Sequence, residues 1–69
     1  MKLSARNQLK GKIVSINEGA VNAIIKVDIG GGNMITSCIS MASVKDLVLV
    51  VGGEATAVIK ATSVMMMVE

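Results

Sequence analysis

Two short stretches hold most of the chemistry this chain can offer. Near the start, Ser4-Ala5-Arg6-Asn7 sets a hydroxyl, a guanidinium and an amide side by side ahead of an apolar strand. Near the end, Ile59-Lys60-Ala61-Thr62-Ser63 sets an ammonium and two hydroxyls inside an otherwise apolar run. An unpaired ammonium among apolar neighbours is costly, and no carboxylate lies in the same stretch. Two arrangements answer that cost. A bound anion can neutralise Lys60 and Arg6 together, or Lys60 can snorkel while Arg6 lies on the surface. The residues taken alone leave both open.

Other chemistry is scarce. The chain has no His, Phe, Trp, Tyr or Pro and a single cysteine, Cys38. Its acids, Glu18, Asp28, Asp46, Glu54 and Glu69, are scattered with no pair spaced for shared proton transfer, and no imidazole is available near neutral pH. Cys38 has no His partner and sits in an apolar strand, which reads as a small buried hydrophobe. The inventory therefore argues against an enzyme. It also argues against nucleic acid, because proteins that grip single strands stack bases on aromatic rings, and Lys10 with Lys12 is explained by a solvated strand face. Gly30-Gly31-Gly32-Asn33 is glycine-rich, but a phosphate cradle needs a strand–loop–helix context. Here the glycines join two strands, as a hairpin turn.

The elements that must position these residues follow from size and pattern. Sixty-nine residues are expected to make one domain, residues 1–69. A domain near this size buries only roughly 60% of its unfolded surface and usually needs a staple. One cysteine excludes an intrachain disulfide, and one cysteine without His excludes a structural zinc site. Oligomerisation remains, and an apolar content of 52% supports it. No apolar run approaches the roughly 18 residues of a membrane span. Residues 1–8 lack the apolar region of a signal peptide, so a reduced, cytoplasmic protein is the expectation. A net charge of +2 suits a small anion better than a polyanion.

Strands dominate the pattern. The first covers about Gln8 to Ile16, with Asn17 to Ala20 as a turn. In the next, Val21, Ala23, Ile25, Val27 and Ile29 alternate with Asn22, Lys26 and Asp28, Ile24 excepted. Gly30 to Asn33 turns into Met34–Ile39, which completes a meander. Ser40 then caps a short helix with Met41, Val44 and Leu47 at helical spacing. Gly52-Gly53 leads into the last strand region, which breaks near Ala61-Thr62-Ser63 into two strands. This order describes an all-β, OB-like, five-stranded barrel with one short helix between strands 3 and 4. The last segment is apolar on both faces: Ala57, Ile59, Met65 and Met67 on one, Val58, Val64, Met66 and Val68 on the other. A strand of that kind must be covered on both sides, and an uncovered Met65-Met66-Met67 edge invites aggregation. The expectation is an obligate oligomer.

Taken together, SARNQLKGKI at the start, GGGNMITSCIS in the middle and AVIKATSVM at the end resemble the molbindin (Mop) family, and the clostridial members in particular. These small proteins bind molybdate or tungstate. The likeness spans essentially the whole chain without an evident gap. It implies an OB-like barrel, a dimer that exchanges a terminal strand, and three such dimers in a homohexamer with oxyanions between subunits. By position, it implies a principal oxyanion site made of the Ser4 hydroxyl, the Arg6 side chain, the Lys60 ammonium and the Ala61 main chain, joined by Ser40 and Ser43 of a neighbouring subunit. A second site is implied at the Gly19, Ala20, Val21 and Asn22 turn near a threefold axis. The chain departs from the family at Ala55, where a larger β-branched residue is expected, and in its run of three methionines.

The physical chemistry agrees. Molybdate is a tetrahedral dianion, so one Arg and one Lys balance its charge, and hydroxyls and backbone N–H groups fill the remaining acceptor positions. Ser40 as N-cap would place first-turn amides beside it. Neither basic cluster contains a carboxylate, so hydrogen phosphate, whose proton needs an acceptor, fits poorly. The functional expectation is intracellular oxyanion storage, buffering or homeostasis. The alternative is a structural OB-type oligomerisation or nucleic-acid-binding module.

Overall fold

A computed structural model describes all residues, 1–69. Strands β1 (Asn7–Glu18), β2 (Asn22–Gly30) and β3 (Asn33–Ser40) form the antiparallel meander. Helix α1 (Met41–Asp46), strand β4 (Glu54–Ile59) and a 3₁₀ turn (Ala61–Ser63) follow. The strand order is β3-β2-β1-β4, so β4 crosses back to pair with β1 and leaves β3 and β4 as the free edges of a curled half-barrel.

Each hairpin has a local cause. Gly31 and Gly32 both adopt positive φ (64° and 80°) between the paired residues Gly30 and Asn33, as a two-residue type I′ hairpin demands. The Asp28 carboxylate accepts the Gly30 N–H at 2.8 Å and fixes the entry. The glycine-rich stretch is thus the hairpin turn its context suggested. In the first hairpin, Asn17 and Glu18 still pair with Ile24 and Ala23. The turn therefore falls at Gly19 to Val21, two residues later than the side-chain types suggested. Cross-strand pairing outweighed the turn preference of Asn17.

The sheet curls where β1 departs from regularity. Ile13 pairs with Val27 and Ser15 with Lys26, so Val14 is the extra residue of a bulge. Nearby, Gly11 faces Ala55 on β4. A Cβ at Gly11 would collide with the Asp28 carbonyl oxygen and Val27 Cγ1 of β2. Two small residues thus let three strands crowd together, which gives Ala55 its packing role.

The core is small. Ile13, Ala23, Ile25, Val27 and Val44 are buried, and Ile16, Ile29, Ile39, Met41, Leu49 and Ala55 pack against them half-buried. The alternation of β2 is realised as expected, with Ala23, Ile25 and Val27 inward and Asn22, Lys26 and Asp28 outward. Cys38 is exposed rather than buried. The period of two on β3 turns Ile35, Ser37 and Ile39 inward, so Thr36 and Cys38 face out.

Helix α1 ends in a Schellman arrangement: the Leu49 N–H donates to Val44 O and the Val48 N–H to Lys45 O, both at 3.1 Å. The left-handed position there is usually glycine, yet this chain places Val48 at φ 52°. Leu47, expected on the apolar face of the helix, is its exposed C-cap.

The barrel has four strands rather than five. The turn at Ala61–Ser63 breaks the last region where expected, but Val64–Glu69 pairs with no strand of its own chain. A strand exists only where a ladder accepts its N–H and C=O groups, and Val64–Glu69 pairs with neither free edge, β3 or β4. Met65, Met66 and Met67 are left 86–91% exposed. An open apolar trough of about 500 Å³ lies along the inner face, lined by Ile25, Ile35, Ile39, Leu49, Ala57 and Ile59 among others. No helix is long and apolar enough to cross a membrane.

Candidate functional site

Strand β1 begins at Asn7 and β4 ends at Ile59, and these two residues are partners at the end of their ladder. The Asn7 side-chain amide donates to Ile59 O at 3.2 Å. This accounts for the amide in the Ser-Ala-Arg-Asn stretch: it ties the start of β1 to the end of β4. Gln8 Nε2 donates to Ala5 O at 2.8 Å and folds the preceding residues against the strand. On the other side, the Ser63 N–H donates to Lys60 O at 2.9 Å and winds the 3₁₀ turn. Arg6 and Lys60, one residue beyond the closing pair, are thereby brought to one place.

The result is a pocket of about 360 Å³ lined by Ser4, Arg6, Lys60, Ala61 and Thr62, with Leu3 and Val58 as apolar walls. Four of the six residues assigned to the principal site meet here. Thr62 is an addition; its signal was its place in the same basic–hydroxyl cluster as Lys60. The pocket has two cations and no carboxylate in its lining. The one ion pair of the chain, Lys10 Nζ to Glu54 Oε2 at 3.7 Å, lies elsewhere on exposed strand residues. No side-chain hydrogen bond of the chain uses Ser4, Arg6, Lys60 or Thr62. Their donors are unspent and are of the kind a small oxyanion uses: two positive charges for attraction and hydroxyls for the remaining oxygens. No cluster of His, Cys, Asp or Glu fit to hold a metal cation exists in the chain.

Ser40 and Ser43 lie elsewhere. Ser40 caps α1: its Oγ accepts the Ser43 N–H at 3.1 Å, and the two hydroxyls are bonded at 2.9 Å. One hydroxyl proton of the pair remains for an outside acceptor. Ser40 sits opposite Asn22, at the Glu18 end of β1, whereas the pocket sits at the Asn7 end. Twelve residues of strand, roughly 36 Å of extended backbone, run between those ends. Within one chain the serine pair and the pocket do not meet.

The Gly19, Ala20, Val21 and Asn22 turn adjoins the serine pair rather than the pocket. The Gly19 N–H donates to Asn22 O at 2.8 Å, and the Met41 N–H donates to Val21 O at 2.7 Å. A Cβ at Gly19 would approach Asn22 O to 2.7 Å, so the turn depends on that glycine. Polar groups gather here without a cation among them.

A curled antiparallel half-barrel with a carboxylate-free cationic pocket between the start of β1 and the end of β4 has the form of an OB-like fold with a site suited to a small anion. The chain belongs to the TOBE domain family, matched over residues 3–66, and within it to the molbindin (Mop) group. It is 67% identical over 69 residues to the "Probable molybdenum-pterin-binding protein" of Haemophilus influenzae, covering 100% of both chains. Among solved structures it resembles MopII from Clostridium pasteurianum with a TM-score of 0.91 and 51% identity, covering 97% of this chain and 100% of that one. It also resembles a molybdate binding protein from Sporomusa ovata with a TM-score of 0.90 and 39% identity, covering 97% and 98% respectively.

Proposed function

We propose that this protein binds molybdate or tungstate at sites shared between subunits of a homohexamer, a trimer of strand-exchanged dimers, and so stores and buffers the oxyanion in the cytoplasm. The observation that carries this reading is the pocket in which Ser4 and Arg6 from the start of the chain meet Lys60 and Ala61 from its end, with no carboxylate present. A tetrahedral dianion satisfies both cations and gives the hydroxyls an acceptor. The names of the relatives support the choice of molybdate among such dianions.

Ser40 and Ser43 join the pocket from a neighbouring subunit in this reading, since they lie at the far end of β1 in their own chain. The exposed methionine segment and the open trough supply apolar surface for that assembly. The Gly19, Ala20, Val21 and Asn22 turn is the second, weaker site, served by its own backbone groups.

Titration calorimetry with molybdate, tungstate and sulfate tests the proposal, with a single-stranded oligonucleotide as a further titrant. Saturable binding of molybdate or tungstate is expected. Binding to the oligonucleotide should be weak and lost as salt rises. Submicromolar oligonucleotide binding at physiological salt, without oxyanion binding, would overturn the reading in favour of a nucleic-acid module.

A further inference from the structure

The pocket between the start of β1 and the end of β4 is not polar all round. Leu3 and Val58 form part of its wall. On β4, Ala57 and Ile59 are half-buried, whereas Val58 and the following Lys60 are exposed, as a period of two dictates. Val58 sits opposite Gln8 on an edge strand and also borders the open apolar trough. It is 48% exposed and Leu3, from the segment before β1, is 54% exposed. Both apolar side chains border the cationic pocket beside Ser4, Arg6, Lys60 and Thr62.

We propose that Leu3 and Val58 are specificity-determining residues: an apolar wall that favours large, weakly hydrated tetrahedral dianions over sulfate. This inference rests on the oxyanion reading of the pocket. Arg6 and Lys60 attract every dianion alike, and charge cannot separate molybdate from sulfate. Dehydration can. The cost of removing an ion from water grows as the ion shrinks, so sulfate loses more hydration on entry than molybdate does. The donors of Ser4, Arg6, Lys60 and Thr62 repay every tetrahedral oxyanion in a similar way. A methyl-lined wall repays none of the rest, and that deficit is larger for the smaller ion. Tungstate, nearly the same size as molybdate, is not distinguished.

Two variants of the full chain test this by titration calorimetry with sodium molybdate, tungstate and sulfate. Val58→Thr keeps the shape and adds a hydroxyl; Leu3→Ser alters a residue outside every strand and so leaves the sheet intact. Each is expected to lower the ratio of the sulfate to the molybdate Kd by about two- to fivefold, a fraction of the roughly tenfold worth of one hydrogen bond to a charged group. Both anions gain that bond, and only the larger dehydration deficit of sulfate separates them. The tungstate to molybdate ratio should stay constant. If the wild-type protein binds molybdate but the sulfate ratio is unchanged in both variants, the wall has no selective role and the inference falls alone. If the wild-type protein binds none of the three anions, the oxyanion reading falls and takes the wall with it.

Discussion

Asn7 closes the molecule onto Ile59: the two residues are ladder partners, and the Asn7 side-chain amide donates to the Ile59 carbonyl at 3.2 Å across 52 positions of sequence. The guanidinium of Arg6 and the ammonium of Lys60 are each one residue beyond this pair, and both line the pocket. An anion held between them would sit where the first and last parts of the sheet are locked together. Binding and the integrity of that lock should therefore be linked.

Arg6→Ala and Lys60→Ala should each weaken molybdate binding by roughly ten- to a hundred-fold or more, because a hydrogen bond to a charged group contributes about 1.5–3 kcal/mol. Ser4→Ala should cost less, since a neutral hydroxyl contributes about 0.5–1.5 kcal/mol. Calorimetric titration of the three variants gives the order directly. Equal losses at all three positions would contradict the assigned roles.

Lys60→Met separates an anion ligand from a structural lysine. Lys60 is exposed and has no carboxylate partner, so without anion the substitution should change stability by no more than about 0.5 kcal/mol. The rise in Tm that molybdate produces in the wild-type protein should disappear. Thermal melts with and without molybdate read both effects. A large loss of stability in the anion-free protein would mark Lys60 as structural.

Gly11→Ala should destabilise the sheet by about 1–3 kcal/mol, the usual range for overpacking, because its Cβ would strike the Asp28 carbonyl oxygen. In urea the unfolding midpoint should fall with the m-value unchanged. An unaltered midpoint would mean that β1 and β2 can separate without cost.

Val48→Gly should raise stability by up to about 1 kcal/mol. A left-handed backbone costs a residue with a Cβ roughly 1–2 kcal/mol, and glycine gives back about 0.5–1 kcal/mol through its freer unfolded chain. The helix end and its two hydrogen bonds need no valine side chain, which is 75% exposed. If the melt of this variant falls instead, the side chain is held by something outside its own chain.

Sedimentation at micromolar concentration should give a hexamer, or at least a dimer. Replacing Met65, Met66 and Met67 together by serine should shift the distribution to smaller species, since these side chains are 86–91% exposed in the single chain. A wild-type protein that sediments as a stable, soluble monomer would remove the shared-subunit sites from the functional proposal.

The strand-rich character, the helix between strands 3 and 4 and the glycine hairpin were legible in the sequence because each has a local cause. Alternation at Ala23, Ile25 and Val27, the Ser40 cap and paired positive-φ glycines act over a few residues. The basic–hydroxyl clusters were legible too, since residue type alone marks them. Three matters needed the tertiary structure. The partnership of the two clusters rests on a ladder that joins positions 7 and 59, and no local pattern encodes so distant a register. The outward face of Cys38 and the apolar walls at Leu3 and Val58 depend on which side of a curled sheet each residue meets. The fate of Val64–Glu69 depends on an available sheet edge: apolar residues on both faces demand cover, but composition cannot say which backbone will supply it. Local interactions chose the elements, and long-range pairing chose which of their residues face one another.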